Sequence, residues 1–249
     1  MKGLIKKLLA KMGVDLTGWR SARYDRRAAQ GAPRTYSQYG EDACLRGFMD
    51  KRCRDREYRG FWVDIGAHHP TRFSNTRMFS ELGWRGLNVD AMSDAIALFV
   101  KRRPNDINVN VGVGASSGEL DYYQFPDHAY NTFVKERVDA LSAEWGRELV
   151  AGRDYLVCKV PVVTLKELLD RYLPPGQAID FLTVDAEGMD LEILKSNDWE
   201  KYRPEFVLAE VNDAGSLTDA DESEMVRFLR KVGYGLVGQC VSTSIFRRL

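Results

Sequence analysis

The stretch GFWVDIGAHHP, residues 60–70, decides the fold. Residues 61–65 are an apolar run interrupted by Asp64 alone, the pattern of a strand covered on both faces and hence of a parallel sheet. Gly66 follows at once, ending the strand in a turn where a bare backbone can approach a ligand closely. A tight strand-to-helix turn without a ligand needs the same residue, so this feature alone leaves both readings open.

Downstream, the pattern predicts a helix over residues 71–82, a second strand over 86–91, a helix over 93–101 and a third strand over 107–113, with Pro104 separating the last two. Residues 178–188 and 204–211 read as two more apolar strands, joined through a helix carrying Leu191, Ile193 and Leu194. Thr218 ahead of Asp221 predicts a capped helix whose apolar face is Met225, Phe228, Leu229 and Val232. Residues 235–237 and 241–246 read as a terminal hairpin turning at Gly238 and Gln239. Upstream, residues 41–49 form a helix. Alternating strands and helices predict an α/β fold with a doubly wound, mainly parallel sheet, a C-terminal antiparallel hairpin, and ligand sites at the carboxyl ends of the strands. Residues 118–163 break the alternation, with strand-like pieces at 120–125 and 155–163, and read as an irregular insertion over the active-site face.

The chain has 249 residues, enough for one substantial core, and divides into an N-terminal segment over 1–35 and a domain over 36–249. MKGLIKKLLAKMG, residues 1–13, is an amphipathic basic helix that suits weak membrane-surface contact or packing on a domain or second subunit. Residues 19–35 read as a linker ending near Pro33. Lysine plus arginine and aspartate plus glutamate each number 36, so no global field draws the protein to nucleic acid. Cys44, Cys53, Cys158 and Cys240 are scattered, without metal-ligand or disulfide spacing, and read as reduced thiols of a cytoplasmic protein. No apolar run reaches the ~20 residues of a membrane span.

Asp90 lies 24 residues after Gly66 at the end of the second strand, where a carboxylate can accept hydrogen bonds from both ribose hydroxyls. With Gly66 it specifies an adenosine-type ligand. A pyrophosphate needs GxGxxG, but His68 and Thr71 occupy the second and third glycine positions, which disfavours a nicotinamide oxidoreductase. S-adenosylmethionine has no phosphate, and Asp64 is the carboxylate placed for its ammonium, directly or through water.

Five ordered blocks carry a family resemblance: SQYGED (37–42), VDIGAHHPTRFSNT (63–76), GWRGLNVDA (83–91), VVTLKELL (162–169) and FLTVDAEGMDLEIL (181–194). They resemble FkbM-type methyltransferases over roughly residues 36–211. The resemblance implies a Rossmann-like class I methyltransferase that moves a methyl group from S-adenosylmethionine to a hydroxyl, often on a sugar, glycan or natural product. It also implies that Gln38, Glu41 and Asp42 close over the cofactor, although a surface helix could carry the same residues. Asp190 stands where the family often has Glu. Asn110 to Gly112 lacks the acidic residue that many methyltransferases aim at adenine, leaving that ring to Val111, Gly112 and apolar packing.

The expected cofactor-binding set is therefore Gln38, Asp42, Asp64, Gly66, Ala67, Asp90, Ala91, Val111, Gly112 and Asp185. An alcohol nucleophile needs a base, and His68, His69, Asp185 and Glu187 are the candidates. The histidines could equally shape the turn, and Asp185 and Glu187 could be a charge pair at a helix N-terminus. Asn75 and Asn131 could orient polar substrate groups or close turns. Asp185, Glu210 and Asn212, at the ends of neighbouring strands, could bind Mg2+ through hard oxygens; Glu210 could instead make an internal hydrogen bond. A rival reading is a non-catalytic glycan-binding protein on the same fold.

Overall fold

The computed structural model describes residues 34–144, 155–211 and 222–249, with side chains through 141 in the first segment. The expected N-terminal helix and most of its linker lie outside the described residues. The described residues from Thr35 onward form one compact unit. No described helix is long and apolar enough to cross a membrane.

The main sheet has seven strands: β1 (Phe61–Ile65), β2 (Arg85–Asp90), β3 (Ile107–Asn110), β7 (Phe181–Val184), β8 (Phe206–Glu210), β9 (Tyr234–Cys240) and β10 (Thr243–Arg248). Their order is β3-β2-β1-β7-β8-β10-β9. β1 is parallel to both β2 and β7, and β10 runs antiparallel between β8 and β9. The expected hairpin is present, but its turn lies at Val241 and Ser242 rather than Gly238 and Gln239. Val241 adopts φ 53 there, while Gly238 stays paired with Ile245.

Both sheet faces are buried, as the apolar run of β1 requires. Phe61, Val63 and Ile65 join one core with Leu87, Val89, Leu182 and Val207. That core also takes Leu165, Leu168 and Leu169 of one helix (Leu165–Tyr172), Ile193 and Leu194 of another (Asp190–Lys195), and Met225 and Leu229 of a third (Glu224–Lys231). Trp62 points the other way, packing with Phe79, Trp84, Phe181 and Phe206 under Leu45 of the helix Glu41–Phe48. The Glu224–Lys231 helix is capped by Ser223, whose hydroxyl accepts from Val226 N; Thr218 lies outside the described residues.

Two expectations are corrected. The first concerns the helix after β1, which spans Arg77–Glu81 alone, residues 66–76 forming a loop. Buried Arg103 satisfies that loop from inside, donating to Thr76 Oγ1 (2.8 Å), Ser74 Oγ (3.0 Å) and the Pro70 carbonyl. His69 Nδ1 accepts from the backbone N–H of Thr71 and Arg72, giving those groups a partner outside a helix.

The second correction concerns the insertion: its expected strand-like pieces are present, and its described residues pair them into a regular sheet. β4 (Gly112–Gly114), β5 (Gly118–Gln124) and β6 (Leu156–Thr164) form a second sheet in the order β4-β6-β5. What reads as one strand over 107–113 is thus β3 in one sheet and the start of β4 in another. Pro161 is tolerated inside β6 because β4 pairs with β6 from Val162 onward, leaving Pro161 with a partner on the β5 side alone. A helix we label α5 (Lys135–Glu144) completes the insertion.

Candidate active site

The strand order reverses between β1 and β7, and a cavity of about 240 Å³ opens there at the carboxyl ends of the strands. Register sets its geometry: Ile65 pairs with both Val89 and Val184, so the residues that follow the three strands emerge at one level. Gly66 and Ala67 N–H both bond the Val89 carbonyl at 3.0 Å, and Asp185 N–H bonds the Ile65 carbonyl at 3.0 Å.

Of the expected cofactor residues, Gln38, Gly66, Asp90, Ala91, Val111, Gly112 and Asp185 line this cavity. Asp90 is buried, accepting His68 N–H at 2.8 Å and Met92 N–H at 2.7 Å, and burial raises its pKa. Ala67 is buried in the turn but outside the cavity wall. Asp64 lies beneath the turn, accepting from Thr76 Oγ1 at 3.1 Å. Its pKa is pushed up to about 7 by burial, against the pull of Arg103. Asp42 is also outside the wall; its carboxylate gathers Thr35 Oγ1, Tyr36 N and Ser37 Oγ, so it anchors the segment that carries Gln38.

Among the base candidates, His68, Asp185 and Glu187 line the cavity and His69 does not. The His69 ring is engaged by its own turn, and burial lowers its pKa. His68 adopts φ 51, and its Nε2 is buried without a hydrogen-bond partner among the described residues. Burial, then Arg72, push its pKa down to about 4. Asp185 is raised well above the usual carboxylate range, by burial first and then by the charges of Glu210, Asp190, Glu187 and Asp64. Glu187 is pushed up to about 7 by burial, opposed by its ion pair with Arg137.

The metal expectation finds no support among the described residues. Among the described residues, no three His, Cys, Asp or Glu side chains stand close enough to hold an ion. The Asp190 carboxylate accepts Ala186 N–H and Glu210 N–H, tying the end of β7 to the end of β8 by direct hydrogen bonds. Glu210 Oε1 accepts from Ser242 Oγ at 3.2 Å. Asn212 lies outside the described residues.

The insertion lies over this face, as expected, and brings Asn131 into the wall beside residues that the sequence did not single out. Tyr122 and Phe133 pack with ring centroids 4.6 Å apart, and Asn131 accepts Phe125 N–H at 2.7 Å. Arg72 and Phe73, from the loop after β1, face Asp127, His128 and Tyr130 across the mouth, and Arg72 pairs with Asp127 at 3.2 Å. The aromatic density of YYQFPDHAYNTF, residues 122–133, is the signal that could have marked this wall. Asn75, by contrast, bonds Thr183 Oγ1 at 3.0 Å and serves packing.

A cavity at the switch point of this seven-stranded sheet, with one antiparallel strand inserted beside its edge, is the arrangement of a Rossmann-like methyltransferase fold. The chain belongs to the methyltransferase FkbM domain family, which it matches over residues 64–236. Among solved structures it is similar to the O-methyltransferase from Bacillus cereus determined in complex with SAH, at 10% identity, over 98% of this chain and 94% of that one, with a TM-score of 0.33. No curated protein matches the sequence.

Proposed function

We propose that this methyltransferase takes its methyl group from S-adenosylmethionine and delivers it to a hydroxyl of a polar acceptor, a sugar, glycan or natural product, in the cytoplasm. The observation that carries the reading is Asp90, a carboxylate in the cavity wall beside Val89, Val111, Val113 and Phe133. In that place it would accept bonds from both ribose hydroxyls while the apolar wall takes adenine. Asp185 lines the far side and fits the cationic end of the cofactor better than Asp64, which lies outside the wall.

When bound, S-adenosylmethionine supplies an electrophilic methyl on a sulfonium. An alcohol attacks it poorly unless its proton is removed, which is the task left to the protein. Glu187, near pH 7 in its proton affinity, is the group best matched to that task. Burial and four neighbouring carboxyl groups raise the proton affinity of Asp185, and a cation beside it would oppose that shift. The neutral His68 ring binds a proton weakly and its Nε2 is enclosed, so it shapes the cavity wall and leaves the proton to the carboxyl groups.

The test is incubation of the full chain with methyl-labelled S-adenosylmethionine and an extract of polar small molecules and glycans, with identification of the labelled product. Ether-linked label on a hydroxyl compound is expected. Label confined to nucleic acid or protein, or no binding of S-adenosylhomocysteine by calorimetry, overturns the reading.

A further inference from the structure

We infer that Arg137, on the insertion helix α5, is a positioning residue that holds the Glu187 carboxylate in the cavity wall. This rests on the reading of Glu187 as the group that takes the acceptor proton.

The insertion is fixed independently of the site. Val138 and Leu141 of α5 are buried in an apolar cluster with Phe125, against which Tyr123, Tyr130 and Tyr155 pack. That cluster sets the helix orientation and leaves the adjacent Arg137 to pair with Glu187. The pair is well covered, the side chains being 31% and 20% exposed. Two further contacts bind the same loop to the insertion. Thr132 Oγ1 donates to the Glu187 carbonyl at 2.9 Å and accepts Val134 N–H at 3.0 Å. Gly188, at φ 103, lies against Val134 and Arg137: a Cβ there would be 3.6 Å and 3.7 Å from their side-chain atoms.

Glu187 itself adopts φ 49, a left-handed conformation that costs energy for a residue with a Cβ and persists where its surroundings enforce it. His68, Phe73 and Glu187, three of the four described non-glycine residues with positive φ, line the cavity, so strain is concentrated at the site. The arrangement is poorly explained by stability alone, because Arg137 Nε is buried with no partner among the described residues. The charged and titratable groups facing Glu187 are Glu210 at the end of β8, Asp185 and Asp190 on its own side, Tyr122 on β5, and Arg137. The others are acids, and Arg137 is the cation that can keep an ionised Glu187 in place among them.

The experiment compares Arg137→Met, Arg137→Lys, Glu187→Gln and the double variant Arg137→Met/Glu187→Gln in the full chain. The readouts are label transfer from saturating S-adenosylmethionine into one fixed extract, KM for S-adenosylmethionine, and calorimetric affinity for S-adenosylhomocysteine. Arg137→Met is expected to lower the transfer rate on the order of 100-fold, the scale of a misplaced reacting group. KM and S-adenosylhomocysteine affinity should move less than about twofold, because the lost interaction acts on the chemical step. Arg137→Lys should recover part of the rate, and Arg137→Met should add little to Glu187→Gln. A wild-type rate in Arg137→Met overturns the inference alone, provided Glu187→Gln is impaired. Equal losses in the Met and Lys variants, accompanied by loss of S-adenosylhomocysteine affinity, assign Arg137 a structural role and also overturn it. A wild-type rate in Glu187→Gln overturns the reading of Glu187 on which the inference rests. If Arg137→Met does not fold, Arg137→Lys in both Glu187 backgrounds decides by the same criteria.

Discussion

Replacing Arg103 with methionine is expected to loosen the loop that carries His68, Arg72 and Phe73 while leaving the sheet intact. Arg103 is 4% exposed, with its guanidinium 5.2 Å from the Phe99 ring centroid and 5.9 Å from that of Trp62. Methionine keeps much of the volume between the rings, so the change isolates the polar contribution. It deletes the bonds to Thr76, Ser74 and the Pro70 carbonyl and removes the positive charge near Asp64. Breaking such a buried charged set costs about 3–5 kcal/mol. The lower end is expected, since Asp64 already titrates at about 7 and can take up a proton instead of remaining a bare ion. For a domain of this size, about 3 kcal/mol lowers Tm by roughly 6 to 12 °C. Thermal unfolding at pH 7 measures the loss, and hydrogen exchange over residues 66–76 locates it. A Tm within about 2 °C of wild type, with unchanged exchange in that loop, would refute Arg103 as its internal support.

Asp90→Asn is expected to weaken S-adenosylhomocysteine binding by about 1.5–3 kcal/mol, roughly 10- to 100-fold, because bonds to a charged acceptor are lost. Equal calorimetric affinities for variant and wild type would remove Asp90 from the site. Stability of the ligand-free protein should fall as pH rises from about 4 to about 7. Burial pushes Asp64 and Asp190 each up to about 7, so the native state holds protons that the unfolded chain has already released in this window. Each such group opposes folding by up to about 4 kcal/mol at pH 7. Asp64→Asn should flatten the slope, and urea unfolding at pH 5 and pH 7 checks it; wild-type stability that rises across the interval contradicts the assignment.

The frame was legible because β1 and its parallel neighbours are buried on both faces, which leaves continuous apolar runs that no surface strand could show. The insertion was legible in part: its strand-like pieces at 120–125 and 155–163 are β5 and β6, but β5 exposes most of its residues and β6 carries a proline in its middle, so nothing marked their pairing with β4 into a second sheet. Helix propensity likewise could not reveal that residues 71–76 are a loop, because the deciding group, Arg103, is distant in sequence and acts only through tertiary bonds. The same separation hid the Arg137–Glu187 pair. Asp90, Ala91, Val111 and Gly112 were readable from strand ends; Asp64 was misplaced from the wall because side-chain alternation sends it to the face of Trp62.

Gly66 and Asp90 entered as joint signs of a nucleoside ligand, but they carry unequal weight. Gly66 has φ 76, and a Cβ on it would overlap the Asp185 carbonyl oxygen, so the close passage of β1 and β7 demands glycine whether or not a ligand binds. Its presence is accounted for by packing. Asp90 has two tasks: its Oδ2 accepts His68 N–H and its Oδ1 accepts Met92 N–H, a pair of donors that asks for both oxygens of a carboxylate, and the same side chain lines the cavity with lone pairs left for a ligand. It follows that Gly66→Ala should damage folding before it reports on binding, whereas Asp90→Asn keeps one acceptor oxygen and nearly the same volume, so its affinity loss speaks to the cofactor once the Tm of the ligand-free variant has registered the backbone bond that is also lost.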